Sequence, residues 1–409
     1  MSALAGVRIV ELSHERSAFA GKLLADMGAD VVVVEPPEGS ALRRWGPFVD
    51  DVPDPEQSLA WWHYNTSKRG VVFDLDTEAG RAGFRRLVAS ADLVLEAEDP
   101  GRLAKLGLDY ADLARRELIW ISATPFGRKL PGRADLMTDL TLLAAGGPVW
   151  SCGYDDHSLP PVRGGGFQGY NTACHYAVLS ALTALLARGV SGEGQFVDVS
   201  MHAAANVTTE MSSYNYLVQG TTVQRQTGRH AMEAMTLPVQ VRCADGRHVN
   251  TGVPPRFPRE FAGLLGWLRQ AGIADEFPEA VFLELGAKRD FVDLSKIGQD
   301  DEITAIFTAG REALNFLASR LSAYDFFVGA QLAGLPVGVI YAPEEAFEDA
   351  HFVARGIQVP VEHPELGRTI RYPGAPYRFE KTPWRIARRA PRLGEHDEEV
   401  FRELAASDG

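Results

Sequence analysis

Basic residues recur in the first third of this sequence as Arg43 and Arg44, Lys68 and Arg69, Arg102 and Lys105, and Arg128 and Lys129. Each group stands just beyond a short apolar run. Cations so placed could hold a polyphosphate through charge-assisted hydrogen bonds, because the crevice outside the carboxyl ends of strands is where open α/β sheets bind ligands. Any one of them reads equally well as a solvated surface charge; their shared placement is what points to an anionic ligand. Glu35 ends the second strand-like run, where a dinucleotide-binding fold would place its ribose-binding acid. The companion glycines are absent, since the preceding turn reads Leu12-Ser-His-Glu-Arg-Ser-Ala-Phe19. Without them a pyrophosphate cannot approach the helix N-terminus closely. NAD and FAD are therefore disfavoured, and Glu35 reads as a solvated strand-end carboxylate.

The elements that must position these residues alternate. Strand signals at Val7 to Leu12, Asp30 to Glu35, Gly70 to Leu75, Asp92 to Glu96 and Leu118 to Ala123 are separated by helical stretches such as Ala18 to Met27 and Glu78 to Ser90. Asp30-Val-Val-Val-Val-Glu35 is the continuous apolar run of a strand buried on both faces. The order predicts βαβ units and a doubly wound α/β sheet. Residues 171–188 are apolar all round the helix axis, which predicts burial in the core or in a subunit interface; His175 within them reads as a core histidine. From about residue 225 the texture changes, giving a large domain over 1–224, a smaller α+β domain over 225–330, and a linker and return to the large domain over 331–409 with a strand signal at Leu335 to Tyr341.

Composition narrows the function classes. The 409 residues are 45% hydrophobic and 23% charged, with a net charge of −13. That balance disfavours nucleic-acid binding, which needs basic patches, while local cations can still hold a small anion. Three cysteines without paired spacing form neither a disulfide framework nor a zinc motif, so no metal is expected. The N-terminus lacks the pattern of a signal peptide, and no run of about 18 apolar residues is present to cross a bilayer. A cytoplasmic protein with no membrane partner is the default.

Several segments, in order, resemble the family III CoA-transferases, the CaiB/BaiF family that includes α-methylacyl-CoA racemase. They are Leu4-Ala-Gly-Val-Arg-Ile-Val-Glu11 with Leu24 to Glu35, Asn65-Thr-Ser-Lys-Arg69 with Phe73-Asp-Leu75, Pro100 to Leu108, Gly192-Glu-Gly-Gln-Phe-Val-Asp-Val-Ser-Met201, and Ala390-Pro-Arg-Leu-Gly-Glu-His396. The resemblance implies a Rossmann-like large domain built from the N-terminal half and the C-terminal tail, a small inserted domain, and an interlocked dimer. It implies CoA or acyl-CoA as substrate, contacted by the loop holding His14 and Arg16, by the Lys68–Arg69 region and by the loop carrying Lys105. Arg43 joins them from the basic ring.

In family transferases an aspartate attacks the acyl-CoA carbonyl and forms a mixed anhydride, splitting one exchange into easier acyl transfers. The family places it in Gly-Asp-x-x-x-Gly-x-His. Counting back from His175 puts Gly169 at that position beside Gln168, and neither can form an anhydride. The racemase branch needs a histidine next to Asp139 as well as the missing acid, and Thr138 stands there. Asp139 remains as the first candidate for a replacement nucleophile, although a helix cap or ligand contact is the favoured reading. Asp155-Asp156-His157 reads as a solvated turn. Arg16 falls where relatives place a polar residue near the acyl carbonyl, and could hold the second carboxylate of a dicarboxylic acid. Three readings follow: a nucleophile-less subunit paired with an active homologue, as in the benzylsuccinate CoA-transferase type; a homodimeric CoA-transferase using another carboxylate; and a non-catalytic acyl-CoA-binding protein. Racemisation is a further, disfavoured alternative.

Overall fold

β-branched runs separated by helices fold as that pattern demands. The computed structural model describes residues 2–128, 136–252 and 254–406. It has a central sheet of β1 (Arg8–Leu12), β2 (Asp30–Glu35), β3 (Arg69–Val72), β4 (Leu93–Glu96), β5 (Ile119–Thr124) and β6 (Phe196–Ser200). The order is β3-β2-β1-β4-β5-β6 and every pairing is parallel. Parallel strands need crossovers and two covered faces. On one face Ile9, Val31, Leu95 and Ile121 meet the helices Ala18–Asp26 and Gln168–Ser191. On the other, Val10, Val32, Val94 and Trp120 meet Phe84 and Leu87, with Val400 and Leu404 of the C-terminal helix Asp397–Ala406.

The chain forms two compact units. The first holds the parallel sheet and comprises residues 1–150, 162–218 and 347–409; the second comprises 151–161 and 219–346. In the second, strands Gln240–Arg242, His248–Asn250 and Gly338–Val339 form an antiparallel sheet, and Phe261, Leu264, Ile306, Leu317 and Phe326 fill the core under helices such as Pro258–Gln270 and Asp301–Ala318. The strand signal at 335–341 shortens to Gly338–Val339, and its pairing with Val249 and Asn250 keeps it in this unit; the first unit resumes at Phe347.

Ion pairs over long sequence distance close the first unit. Arg69 at the start of β3 donates to Asp30, Glu399 and Glu403, and Arg8 donates to Glu403. Glu35 differs from its expected solvated state. It is 1% exposed and accepts two hydrogen bonds from Arg43, at 2.6 and 2.8 Å, plus one from the Ser40 N–H. A bidentate guanidinium is what allows a carboxylate to be buried there.

Helix Gln168–Ser191 lays small residues against the sheet, with Ala173, Ala177, Ala181 and Ala184 buried. Leu179, Leu186 and Val190 point outward. By length and composition this helix could also cross a membrane. His175 is exposed rather than in the core, its ring edge-on to Phe19, because the buried stripe Ala173, Ala177 and Ala181 recurs every four residues and His175, two residues from it, falls on the opposite side.

Candidate active site

The strand order reverses between β1 and β4, which opens a crevice at their carboxyl ends. The loop after β1 enters it. Arg16 is 7% exposed, and its Nη1 reaches the Ala97 carbonyl at 3.5 Å and Asp99 Oδ1 at 3.3 Å, beyond the end of β4. Its guanidinium also hydrogen-bonds Tyr170, while Nε is buried without a partner among the described residues. Ser13 Oγ after β1 and Thr124 Oγ1 at the end of β5 are likewise buried and unpartnered. Orphaned polar atoms are costly in a dry interior, so their grouping at the strand ends marks a site that a polar ligand would satisfy. Cys174 holds the loop from below by donating Sγ–H to the Arg16 carbonyl, and burial pushes its thiol up to about 12.

His14 stands in the same loop. The Arg16 backbone N–H donates to its Nδ1 at 3.2 Å, and burial lowers the imidazole to about 4, so the ring is neutral at pH 7. Lys105 and Arg102 are exposed after β4, and Arg102 lies 3.3 Å from Glu98.

Arg43, Lys68 and Arg69 of the basic ring are turned inward. Arg43 is 1% exposed; besides gripping Glu35 it donates to the Pro391 carbonyl and lies over the Trp61 ring at 3.9 Å. Lys68 is fully buried, donating to the Ala18 carbonyl and Asn65 Oδ1 at 2.9 Å, with Glu11 Oε2 at 2.7 Å. Burial lowers Lys68 and raises Glu11 to about 7. Thr66 and Ser67 complete the element by bonding Asp26, which Lys22 also meets. Arg43, Lys68 and Arg69 thus take part in a buried polar network that ties helix Ala18–Asp26, β3 and the C-terminal tail together. Arg128 pairs with Asp109 at 2.7 Å, Arg44 is exposed, and Lys129 lies outside the described residues.

Asp139 and Gly169 do meet. Thr138 caps helix Asp139–Gly146, which leaves the Asp139 side chain free to act elsewhere. Its Oδ1 accepts the Tyr170 N–H at 2.9 Å and a second bond from the Gly169 N–H. Asp139 thus caps helix Gln168–Ser191 from a neighbouring helix, with Arg163 3.4 Å from Oδ2. Burial raises its pKa against these partners. A Cβ on Gly169 would stand 3.1 Å from Asp139 Oδ1 and 3.2 Å from Leu143 Cγ, so the carboxylate already crowds that position. An aromatic wall surrounds it: Trp45 lies 5.3 Å from Phe167, which stacks on Tyr170 at 6.3 Å and meets Tyr64. Tyr64, Tyr170 and Arg163 escape a sequence reading because nothing in their spacing joins residues 45, 64, 139, 163 and 170. Asp155 and His157 are part of the second unit, where Asp155 pairs with Arg229 and the Thr227 N–H, and His157 Nε2 meets the Arg225 carbonyl.

A family model described as CoA-transferase family III matches residues 4–397. The chain belongs to CoA-transferase family III. This family III chain is 33% identical over 396 residues to succinyl-CoA:(R)-benzylsuccinate CoA-transferase subunit BbsE of Thauera aromatica, spanning 96% of the chain and 92% of that protein. It is 32% identical over 412 residues to the succinate–glutarate CoA-transferase of Agrobacterium fabrum, spanning 98% and 95%. Among solved structures it resembles a CaiB/BaiF family protein from Brucella suis, with a TM-score of 0.77, 26% identity and 98% and 99% coverage. Among the described residues no group of three or more His, Cys, Asp or Glu is arranged to hold a metal.

Proposed function

We propose that this chain is the nucleophile-lacking subunit of a heteromeric CoA-transferase, which moves CoA from an acyl-CoA to a carboxylic acid together with a homologous subunit that supplies the attacking carboxylate. The observation that carries this reading is the pairing of Gly169 with Asp139: the nucleophile position has no side chain, and the nearest carboxylate is engaged by two backbone N–H groups of the helix it caps. Attack on a thioester through Asp139 Oδ2 would discharge the carboxylate and weaken the Oδ1 acceptor that caps the helix N-terminus. That weighs against the homodimeric alternative. The Thauera aromatica relative named as a subunit supports the heteromeric form.

CoA is assigned to the crevice between β1 and β4. His14, Arg16 and Lys105 contact it, and Ser13 and Thr124 offer hydrogen bonds to its polar chain. Arg43, Lys68 and Arg69 act from behind, as the framework of that loop. Arg16 also suits the far carboxylate of a dicarboxylic acyl group, the class named by the succinyl-CoA relatives.

The test compares the lone chain with the chain co-expressed beside a homologous subunit, trapping acyl adducts with hydroxylamine and reading intact masses. The expected result is no adduct on the lone chain, an adduct on the partner only, and CoA transfer by the pair. Asp139→Asn keeps an acceptor for the helix cap and should leave the pair's turnover within about threefold of wild type, since no transition-state contact is removed. An adduct on Asp139 of the lone chain would replace this reading with the homodimeric one.

A further inference from the structure

The second unit contains a cavity of about 670 Å³. Met232, Leu237, Val239, Phe307 and Leu314 give it apolar walls. Among the described residues no aspartate or glutamate lines it, in a chain whose net charge is −13. Arg229, Arg256 and Arg311 do line it. Arg229 is neutralised by Asp155 at 3.1 Å and is further tied to Thr236. Arg256 and Arg311 make no side-chain ion pair or hydrogen bond among the described residues.

Two half-exposed guanidinium groups on an apolar wall, neither in a side-chain ion pair among the described residues, attract an anion more strongly than charges on an open polar surface do, because the adjoining apolar surface lowers the effective dielectric. The same walls favour a ligand with a hydrocarbon body over a polyphosphate. The volume lies within the roughly 300–1,000 Å³ usual for small-molecule sites. We propose that this cavity binds a carboxylic acid with an apolar, aromatic-sized body, its carboxylate held by Arg256 and Arg311. The transferase reading enters only in giving that acid its place, as the acyl group or acceptor of the exchange.

The test is calorimetric titration of the intact chain with 4-phenylbutyrate, 4-phenylbutan-1-ol, 4-phenylbutylamine and succinate. The acid should bind one to one. The alcohol, lacking charge, and succinate, lacking the apolar body, should each bind at least about tenfold more weakly, and the amine not at all. Arg256→Met and Arg311→Met should each weaken the acid about tenfold and leave the alcohol unchanged, a pattern that misfolding would not produce. Equal binding of acid and alcohol by the wild-type chain would overturn the proposal, as would arginine variants with unaltered acid affinity. The adduct and transfer assays judge the transferase reading separately: acid binding without CoA transfer by any pairing would sink that reading alone, and transfer by a chain with no acid selectivity would sink only this site.

Discussion

Burial holds the imidazoles of His14 and His63 at about 4, below the 6.5 of a free histidine. Between those values the folded chain binds fewer protons than the unfolded one, so acid favours unfolding. The contribution of these two histidines should be fully present above pH 6.5 and be lost as the pH drops toward 4, opposed in part by Glu11, held up at about 7. Urea melts across that window check this, and His63→Gln should flatten the slope; an unaltered slope would mean that His63 titrates normally. Legibility at this scale stops at residue type. Arg43, Lys68 and Arg69 are cations following strand-like runs, and so they read as ligand contacts. What turns Arg69 inward are acceptors far along the chain, Glu399 and Glu403, while Arg43 is held by Glu35 nearby and by the distant Pro391 carbonyl. Lys68 is decided nearer by, by Glu11 and Asn65, but whether a given carboxylate is a partner or a bystander is a matter of folding.

Helix Ala18–Asp26 and β1 approach closely because residue 21 is glycine. A Cβ there would stand 1.8 Å from Glu11 Oε2 and 2.9 Å from Lys68 Nζ. In an exposed helix Gly→Ala would stabilise by about 1 kcal/mol. Here the added methyl displaces a buried ion pair, so Gly21→Ala should instead destabilise by about 1–3 kcal/mol, the usual range for overpacking, measurable as a lower urea midpoint. A midpoint at or above wild type would show that Glu11 and Lys68 relax freely. Elements were the most legible scale: β2 announces itself by four consecutive valines, and Gly192, with φ 72°, ends the long helix as a left-handed cap. Which side of that helix is buried was not legible. It is apolar all round, and only contact with the sheet selects the alanine stripe and leaves His175 outside.

At the scale of the whole molecule, the outward Leu179, Leu186 and Val190, together with the exposed Tyr216, Leu217 and Val218, leave much large apolar surface uncovered. Such surface usually marks an interface, and a subunit partner is the occupant that the proposed function requires. Sedimentation should find the chain associated, either with itself or with its homologue. Leu186→Glu and Val190→Glu should leave the far-UV spectrum unchanged while weakening association at least about tenfold, as the loss of buried apolar anchors does. A monomeric wild-type chain that also ignores its homologue would contradict this. By itself the sequence determined the parallel α/β architecture and the family, because periodicity and ordered motifs are local properties. Tertiary structure alone decided that Asp139 caps the neighbouring helix, that the Asn65–Arg69 element is a buried staple, and that two arginines share a cavity without acids. Each of these depends on which distant groups share a low-dielectric space, and burial there sets whether a charge is paired, neutral or free to bind.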